Sequence, residues 1–451
     1  MGTVLFAIFA GMEIALVIVT LAKQKETKIW CRNRMLTRAA ELLIAAAAVL
    51  AAGNRWRLYG CIVILGIRLA AALAAWCIQN RKNEQRQKKA PGLLFGTFMS
   101  LVMIGFSLVP AFVFTGYHGL KTSGEYEVAM TQGILTDSSR IEQNETDGSC
   151  REIPVHFYYP ENASGSYPLV VFSHGSFGYY QSNSSAYMEL ASNGYVVVSV
   201  DHPYYAFFTK DTNDQMIIVD MNFMQLAIDV QNGLYTQEEE FDIVQEWMDI
   251  RTADIHFVLD AIKAASASGT LDSAWYTASD TEHTEILDAL AMTDTGKIGL
   301  MGHSIGGAVS VELGRERDDI TAVIDIDGTM LGEWQAFENG SLVLEDEPYP
   351  IPVMALDNEE HGVGYEDTSY VNRYMLDRAV DGREMYFANT EHMDFTDLPL
   401  MSPFLASMFG KGSVDSGEFI PQLNDTILQF FNYYLKAEGT LSVPEGYSAA
   451  P

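Results

Sequence analysis

The stretch Lys297-Ile298-Gly299-Leu300-Met301-Gly302-His303-Ser304-Ile305-Gly306-Gly307 decides how this chain is read. A short apolar run leads to a serine with a glycine two residues away on each side, and a helical stretch from Ile305 to Arg317 follows without a proline. That is the pattern of a nucleophile elbow. A strand turns sharply into a helix, the serine hydroxyl projects above the sheet edge, and the glycines relieve the crowding of the turn. Arg315 and Arg317 suit the negative end of the helix that follows. The pattern is short enough to arise by accident, so its surroundings must carry the reading.

Working outward, strand-like and helix-like runs alternate. Ile153 to Tyr159, Tyr167 to Phe172 and Tyr195 to Val200 read as strands before the elbow; Ile320 to Ile326, Pro350 to Leu356 and Glu384 to Ala388 read as strands after it. Ser184 to Ser192, Met248 to Ala265, Ser369 to Ala379 and Ile420 to Lys436 read as helices, the second most clearly because Ile250, Ile255, Val258, Leu259 and Ile262 recur at helical spacing. This order predicts an α/β fold with a mostly parallel, doubly wound sheet, in which ligands bind beyond the carboxyl ends of the strands. Ala206 to Gln245 fits neither element. Its Phe207, Phe208, Met216, Ile217, Ile218, Met221, Phe223 and Met224 read either as a lid or as a second layer packed on the core.

Charge divides the chain. Residues 1–90 hold fourteen Lys and Arg against four Asp and Glu, a net of +10; the remaining 361 residues hold fourteen against fifty-five, a net of −41. So acidic a domain repels polynucleotides, which excludes nucleic acid and favours neutral, zwitterionic or cationic partners. Of the four cysteines only Cys150 lies in the acidic part, so that part relies on its hydrophobic core instead of an internal disulfide. No Cys/His cluster has zinc spacing, and Glu238-Glu239-Glu240 reads as a solvated face, so no metal is expected.

The basic part is apolar. Thr3 to Ala22 is long enough to span a bilayer, and Met35 to Gly53, Leu58 to Ile78 and Gly92 to Phe114 are three further candidates. The loops between them carry six, two and five basic residues: Lys23 to Arg38, then Arg55 and Arg57, then Arg81 to Lys89. By the positive-inside rule the first and third loops are cytoplasmic, and everything after Phe114 lies outside the cytoplasm. Glu13, Glu41 and Arg68 read either as a polar site between helices or as charges that pair to hold the bundle. The expected organisation is a multi-pass helical region over 1–116, a linker over 117–150, the α/β domain over 151–440 and a tail over 441–451.

A serine needs a base, and the base needs an orienting acid. In α/β-hydrolases the chain order is Ser, then Asp or Glu, then His, which leaves His361 and His392. His392 follows the last strand and is preferred; His361 reads as an exposed loop histidine. Asp327 and Asp357 each end a strand and both stand as candidates for the acid, while Asp325, one pleat deeper, reads as a hydrogen-bonded structural group. The oxyanion hole draws on the Ile305 N–H and, from the loop Ser173-His174-Gly175-Ser176, the Ser176 N–H. His174 and His303 read as structural.

Phe172-Ser173-His174-Gly175, Gly302-His303-Ser304-Ile305-Gly306-Gly307, Ile324-Asp325-Ile326-Asp327 and His392-Met393-Asp394-Phe395 together resemble the platelet-activating factor acetylhydrolase family, plasma and type II branch. The resemblance runs roughly from Tyr167 to Phe395. It implies an α/β-hydrolase fold, a calcium-independent serine esterase without cofactor, removal of short or oxidised acyl chains from phospholipids, and Asp327 as the triad acid. The helices before residue 116 have no place in that family's pattern, and cutinase-like and dienelactone-hydrolase-like esterases share the elbow. A rival of another class is a membrane sensor or transporter whose hydrolase domain only binds ligand.

Overall fold

The computed structural model describes residues 1–22, 26–52, 55–81, 89–114, 116–364, 370–443 and 446–449. Lys23, Lys25, Lys82, Arg86 and Lys88, part of the loop-charge argument, lie outside the described residues. Two compact units emerge, one of Met1–Gly119 with Pro399–Met408 and one of Leu120–Leu398 with Phe409–Pro451.

In the first unit, the helices Gly2–Ala22 and Ala90–Ser107 and the segment Arg55–Arg81 are long and apolar enough to cross a membrane. Thr27–Ala51 is as long, but Lys28, Arg32, Arg34, Arg38 and Glu41 make it too polar for that class. Phe9, Leu58, Cys61, Leu65 and Ile104 close the interior, while Val4, Ile18, Val63, Phe95 and Phe106 are exposed. Apolar residues on both the inner and outer faces are what a helix in lipid requires.

The buried charges of this bundle neutralise one another. Arg38 donates to Glu41 at 2.9 Å and pairs with Glu13; Arg68 reaches Glu13 at 2.5 Å and Glu41 at 3.6 Å. Arg38 also donates to Ser100 Oγ at 3.0 Å, so three helices and the Arg55–Arg81 segment meet at one cluster. Of the two readings of these charges, mutual pairing is the one the side chains adopt.

Among the described residues the second unit is built on fourteen strands in chain order: β1 (Val128–Ile141), β2 (Cys150–Pro160), β3 (Tyr167–Ser173), β4 (Val196–Val200), β5 (Phe208–Lys210), β6 (Met216–Ile218), β7 (Trp275–Tyr276), β8 (Thr293–His303), β9 (Ile320–Ile326), β10 (Trp334–Glu338), β11 (Ser341–Leu344), β12 (Val353–Asn358), β13 (Gly382–Phe387) and β14 (Gly446–Ala449). Ten of them form one sheet in the order β14-β13-β12-β9-β8-β3-β4-β2-β1-β7. From β14 to β4 the pairing is parallel; β2, β1 and β7 run antiparallel at one edge. The strands are buried on both faces, hence the near-continuous apolar run Leu169 to Phe172. Ile298 and Leu300 join the core cluster that includes the helices Gln237–Ser268 and Ile305–Glu316. On the opposite face Phe431, from Ser416–Phe431, closes against Gly299.

Two stretches read from sequence as connectors belong to the sheet. The stretch 117–150 contains β1, whose pairing with β2 breaks register between Asp137 and Ile141, and the stretch 441–451 contains β14. The ambiguous segment divides between its two readings. Val219 and Phe223 are buried in the core, whereas Phe207, Met216, Ile218 and Met221 stay exposed around the β5–β6 hairpin and the helix Met221–Gln231.

Candidate active site

β8 delivers Ser304 to the carboxyl end of the central strands, and the helix Ile305–Glu316 departs at once. Ser304 takes φ 56° and ψ −131°, a conformation that costs a non-glycine residue on the order of 1–3 kcal/mol. Its N–H donates to Ile326 O at 2.8 Å, which pins the elbow to the end of β9. A Cβ on Gly306 would lie 2.1 Å from the Ser173 carbonyl oxygen, so glycine lets the elbow helix close onto the end of β3. Among the described residues Ser304 Oγ makes no hydrogen bond to His392 or any other group.

The loop after β3 lies against the nucleophile. A Cβ on Gly175 would stand 3.1 Å from Ser304 Cβ. The loop turns through Gly178 N–H to Gly175 O at 3.0 Å and sets Phe177 at φ 60°. Neither Ser176 N–H nor Ile305 N–H meets a backbone acceptor among the described residues, the second because it opens a helix.

Buried polar groups that the sequence did not reveal hold this loop. Arg251 Nη1 donates to His174 O at 2.6 Å, and His202 N–H donates to His174 Nε2 at 3.2 Å. Behind them Asp254 Oδ2 stands 2.9 Å from His202 Nδ1 and accepts from Arg151 at 2.7 Å, and His202 Nε2 lies 3.0 Å from Ser173 Oγ. This second Ser-His-Asp row is sealed from solvent and supports the loop. Burial pushes His202 down to about 4 despite Asp254, so its imidazole is neutral. The only trace in the sequence was polar residues inside the apolar-periodic helix Gln237–Ser268.

Asp327 follows β9 at φ 54° and is almost fully buried. Its Oδ2 lies 2.6 Å from His392 Nδ1 and accepts from Asn358 Nδ2 at 2.9 Å, while Oδ1 accepts from Asn358 N–H at 2.7 Å. Burial alone would raise this carboxyl, but the hydrogen bonds and charges of His361 and His392 outweigh it and hold it well below the usual carboxylate range. His392 opens a short turn, His392–Phe395, fixed by Glu391 and Asp394, and Asp394 Oδ2 also accepts from Gly412 N–H at 2.7 Å. The His303 ring lies 4.5 Å from that of His392, with Nε2 3.3 Å from His392 O; burial, then the neighbouring His392, pushes His303 down to about 3.

Two readings change. Asp357 meets His361, its Oδ1 3.8 Å from His361 Nδ1, while His392 pairs with Asp327. His361 is no exposed loop residue: it sits on the helix Glu359–Gly364 with Nδ1 3.2 Å from Asp327 Oδ1, because that helix folds back over the ends of β9 and β12. Asp325 is fully buried beside the Gly328 backbone, and burial first, then Asp357, raises its carboxyl well above the ordinary value.

Asn358 is the residue the sequence reading missed, since it looked like one more polar residue after a strand. Among the described residues two sets of potential ligand atoms fall within 4.8 Å, His303-Asp327-His392 and Asp327-Asp357-His361, and both share a carboxylate already bonded within the protein. A depression of about 400 Å³ lined by Glu359, Asn389, Glu391, Lys411 and Ser413, among others, flanks the His392 turn.

No curated protein matches the chain. Among solved structures it resembles a ferulic acid esterase from Streptomyces cinnamoneus, with a TM-score of 0.52 at 20% identity over 72% of this chain and 95% of that one. At that identity the likeness speaks to the fold. The model of the family described as platelet-activating factor acetylhydrolase, isoform II, matches residues 132–441, which takes in the sheet apart from β14 and the start of β1, together with the elbow and the His392 turn. The chain therefore belongs to the platelet-activating factor acetylhydrolase isoform II family, as a serine ester hydrolase of α/β-hydrolase fold preceded by apolar helices fit for a membrane.

Proposed function

We propose that the chain cleaves a short acyl group from a phospholipid or other small ester through a Ser304-His392-Asp327 triad. Ser304 Oγ attacks the acyl carbon as His392 takes its proton, and the tetrahedral oxyanion is received by the N–H groups of Ile305 and Ser176. His392 then protonates the leaving alcohol, and water activated by the same imidazole releases the acid and restores Ser304. Asp327 holds the Nδ1–H tautomer so that Nε2 is the base. The chemistry calls for no cofactor.

The observation that carries the reading is the 2.6 Å contact of His392 Nδ1 with a buried, doubly Asn358-bonded Asp327, next to a serine at positive φ. Apolar helices and the basic loop residues support an integral membrane protein whose hydrolase domain faces away from the cytoplasm. The acidic surface suits a neutral or zwitterionic ester.

The test is fluorophosphonate labelling and turnover of p-nitrophenyl esters of increasing acyl length by the full-length protein beside Ser304→Ala. Labelling and turnover in the wild type and neither in the variant are expected, with rates falling steeply beyond short chains. A folded wild type that takes no label is a ligand-binding domain, and undiminished turnover in Ser304→Ala removes the nucleophile assignment. Flat rates across chain length point to a general lipase.

A further inference from the structure

The ends of β9 and β12 gather three buried carboxyl groups, Asp325, Asp327 and Asp357. Burying carboxylates side by side is costly unless a cation or a proton offsets them. Burial and the neighbouring Asp357 push Asp325 toward its neutral form. Among the described residues no lysine or arginine pairs with Asp325 or Asp327; what reaches Asp327 from the side away from His392 is His361 Nδ1, 3.2 Å from Oδ1 and 3.8 Å from Asp357 Oδ1. The ring is held there by its own backbone, since His361 N–H donates to Asn358 Oδ1 at 3.0 Å while Asn358 Nδ2 donates to Asp327 Oδ2. Asn358 thus couples the placement of His361 to that of the acid.

We propose that His361 is a positioning residue of the reaction assigned above, a cationic histidine that shares the Asp327 carboxylate with His392 from the opposite side. Burial works against its charge, but Asp327 and Asp357 outweigh burial and raise it to about 11, so it stays charged across the working range of an esterase. The groups facing it are Asp325 and Asp327 from β9 and the residue after it, Asp357 from β12, and Tyr370, whose ring centroid is 6.4 Å away. Glu359 and Glu360 share its helix, and Tyr386 of β13 is paired in register with Asp357. Its positive charge draws on the carboxylate that His392 also uses, so it weakens the hold of Asp327 on a proton at His392. The charge of His361 thereby opposes a second positive charge on the His392 ring, which must be neutral to act as base.

This inference rests on the triad reading, and the experiment separates the two. The pH dependence of kcat/KM for the best p-nitrophenyl ester is measured on the full-length wild type, His361→Gln, His361→Lys and Asp357→Asn. With the cation gone, His361→Gln is expected to move the midpoint of the acidic limb up by about 0.5–1 pH unit, and His361→Lys to bring it back toward the wild-type value. Asp357→Asn, which removes a carboxylate and keeps the cation, is expected to move the midpoint down, a readout that survives if the His361 variants fail to fold. A lower plateau with an unmoved midpoint in His361→Gln, or no downward shift in Asp357→Asn, overturns the proposal while leaving the triad intact. Absence of turnover and of fluorophosphonate labelling in the wild type removes the triad reading, and the inference with it.

Discussion

At Asp327 one carboxylate receives Asn358 twice, His392 at 2.6 Å and His361 at 3.2 Å. Both oxygens are therefore oriented before any substrate arrives. Asp327→Asn preserves the shape but presents an amide N–H toward His392 Nδ1, which favours the tautomer with its proton on the wrong nitrogen. By analogy with triads in general kcat is expected to fall by about 10⁴-fold, whereas Asp357→Asn, whose carboxyl meets His361 instead, is expected to cost less than about tenfold. Steady-state rates of the two variants on one ester decide it; a larger loss in Asp357→Asn would reassign the acid. Ser304 and His392 were legible because each stands in a short pattern near the end of a strand, whereas Asp327 shared its pattern with Asp357 and was singled out by the family resemblance. Asn358 and His361 were not legible. They reach Asp327 through the register of β9 on β12, with Ile326 opposite Leu356, and no local pattern encodes which residue of one strand end faces which of the next.

At the scale of the element, the elbow stores strain where the chemistry is expected. Ser304 at φ 56° and ψ −131° is held by its N–H to Ile326 O and by a helix that starts with the next residue. Two inactive variants then differ in a predictable direction: Ser304→Gly relaxes the backbone and Ser304→Ala does not. The glycine protein is expected to be more stable by about 1–2 kcal/mol, read as a higher melting temperature of the hydrolase domain; equal values would mean that the turn is unstrained. The parallel core of the sheet was legible for the same reason as the elbow, because strands buried on both faces are written as continuous apolar runs. β1 was obscured by polar residues near its bulge, and β14 is too short to announce itself.

Across the whole molecule the surplus of acid shapes the response to pH. Glu312, on the elbow helix, is raised to about 7 by burial first and then by Glu316, with Thr252 Oγ1 donating to it at 3.2 Å. A carboxyl raised in the folded state contributes stability that is complete below its unfolded pKa of about 4.3 and lost as pH rises through 7. Wild type and Glu312→Gln are therefore expected to melt alike near pH 5, with the variant about 2–4 °C higher at pH 8. A constant difference across that range would show that Glu312 is not protonated in the folded protein. Asp254 and Asp327, held low, act in the opposite sense and lose their contribution only as the solution becomes strongly acid.

The helical unit answers to a different field. Glu13, Arg38, Glu41 and Arg68 lie within one buried cluster, two carboxylates against two guanidinium groups. A single charge at such depth would feel roughly 2.3 kcal/mol for each 100 mV of membrane potential and would pull its helix one way or the other. Here the charges sum to zero, so the potential exerts no net force on the cluster. Set in a membrane, this cluster would offer the potential no net buried charge to move.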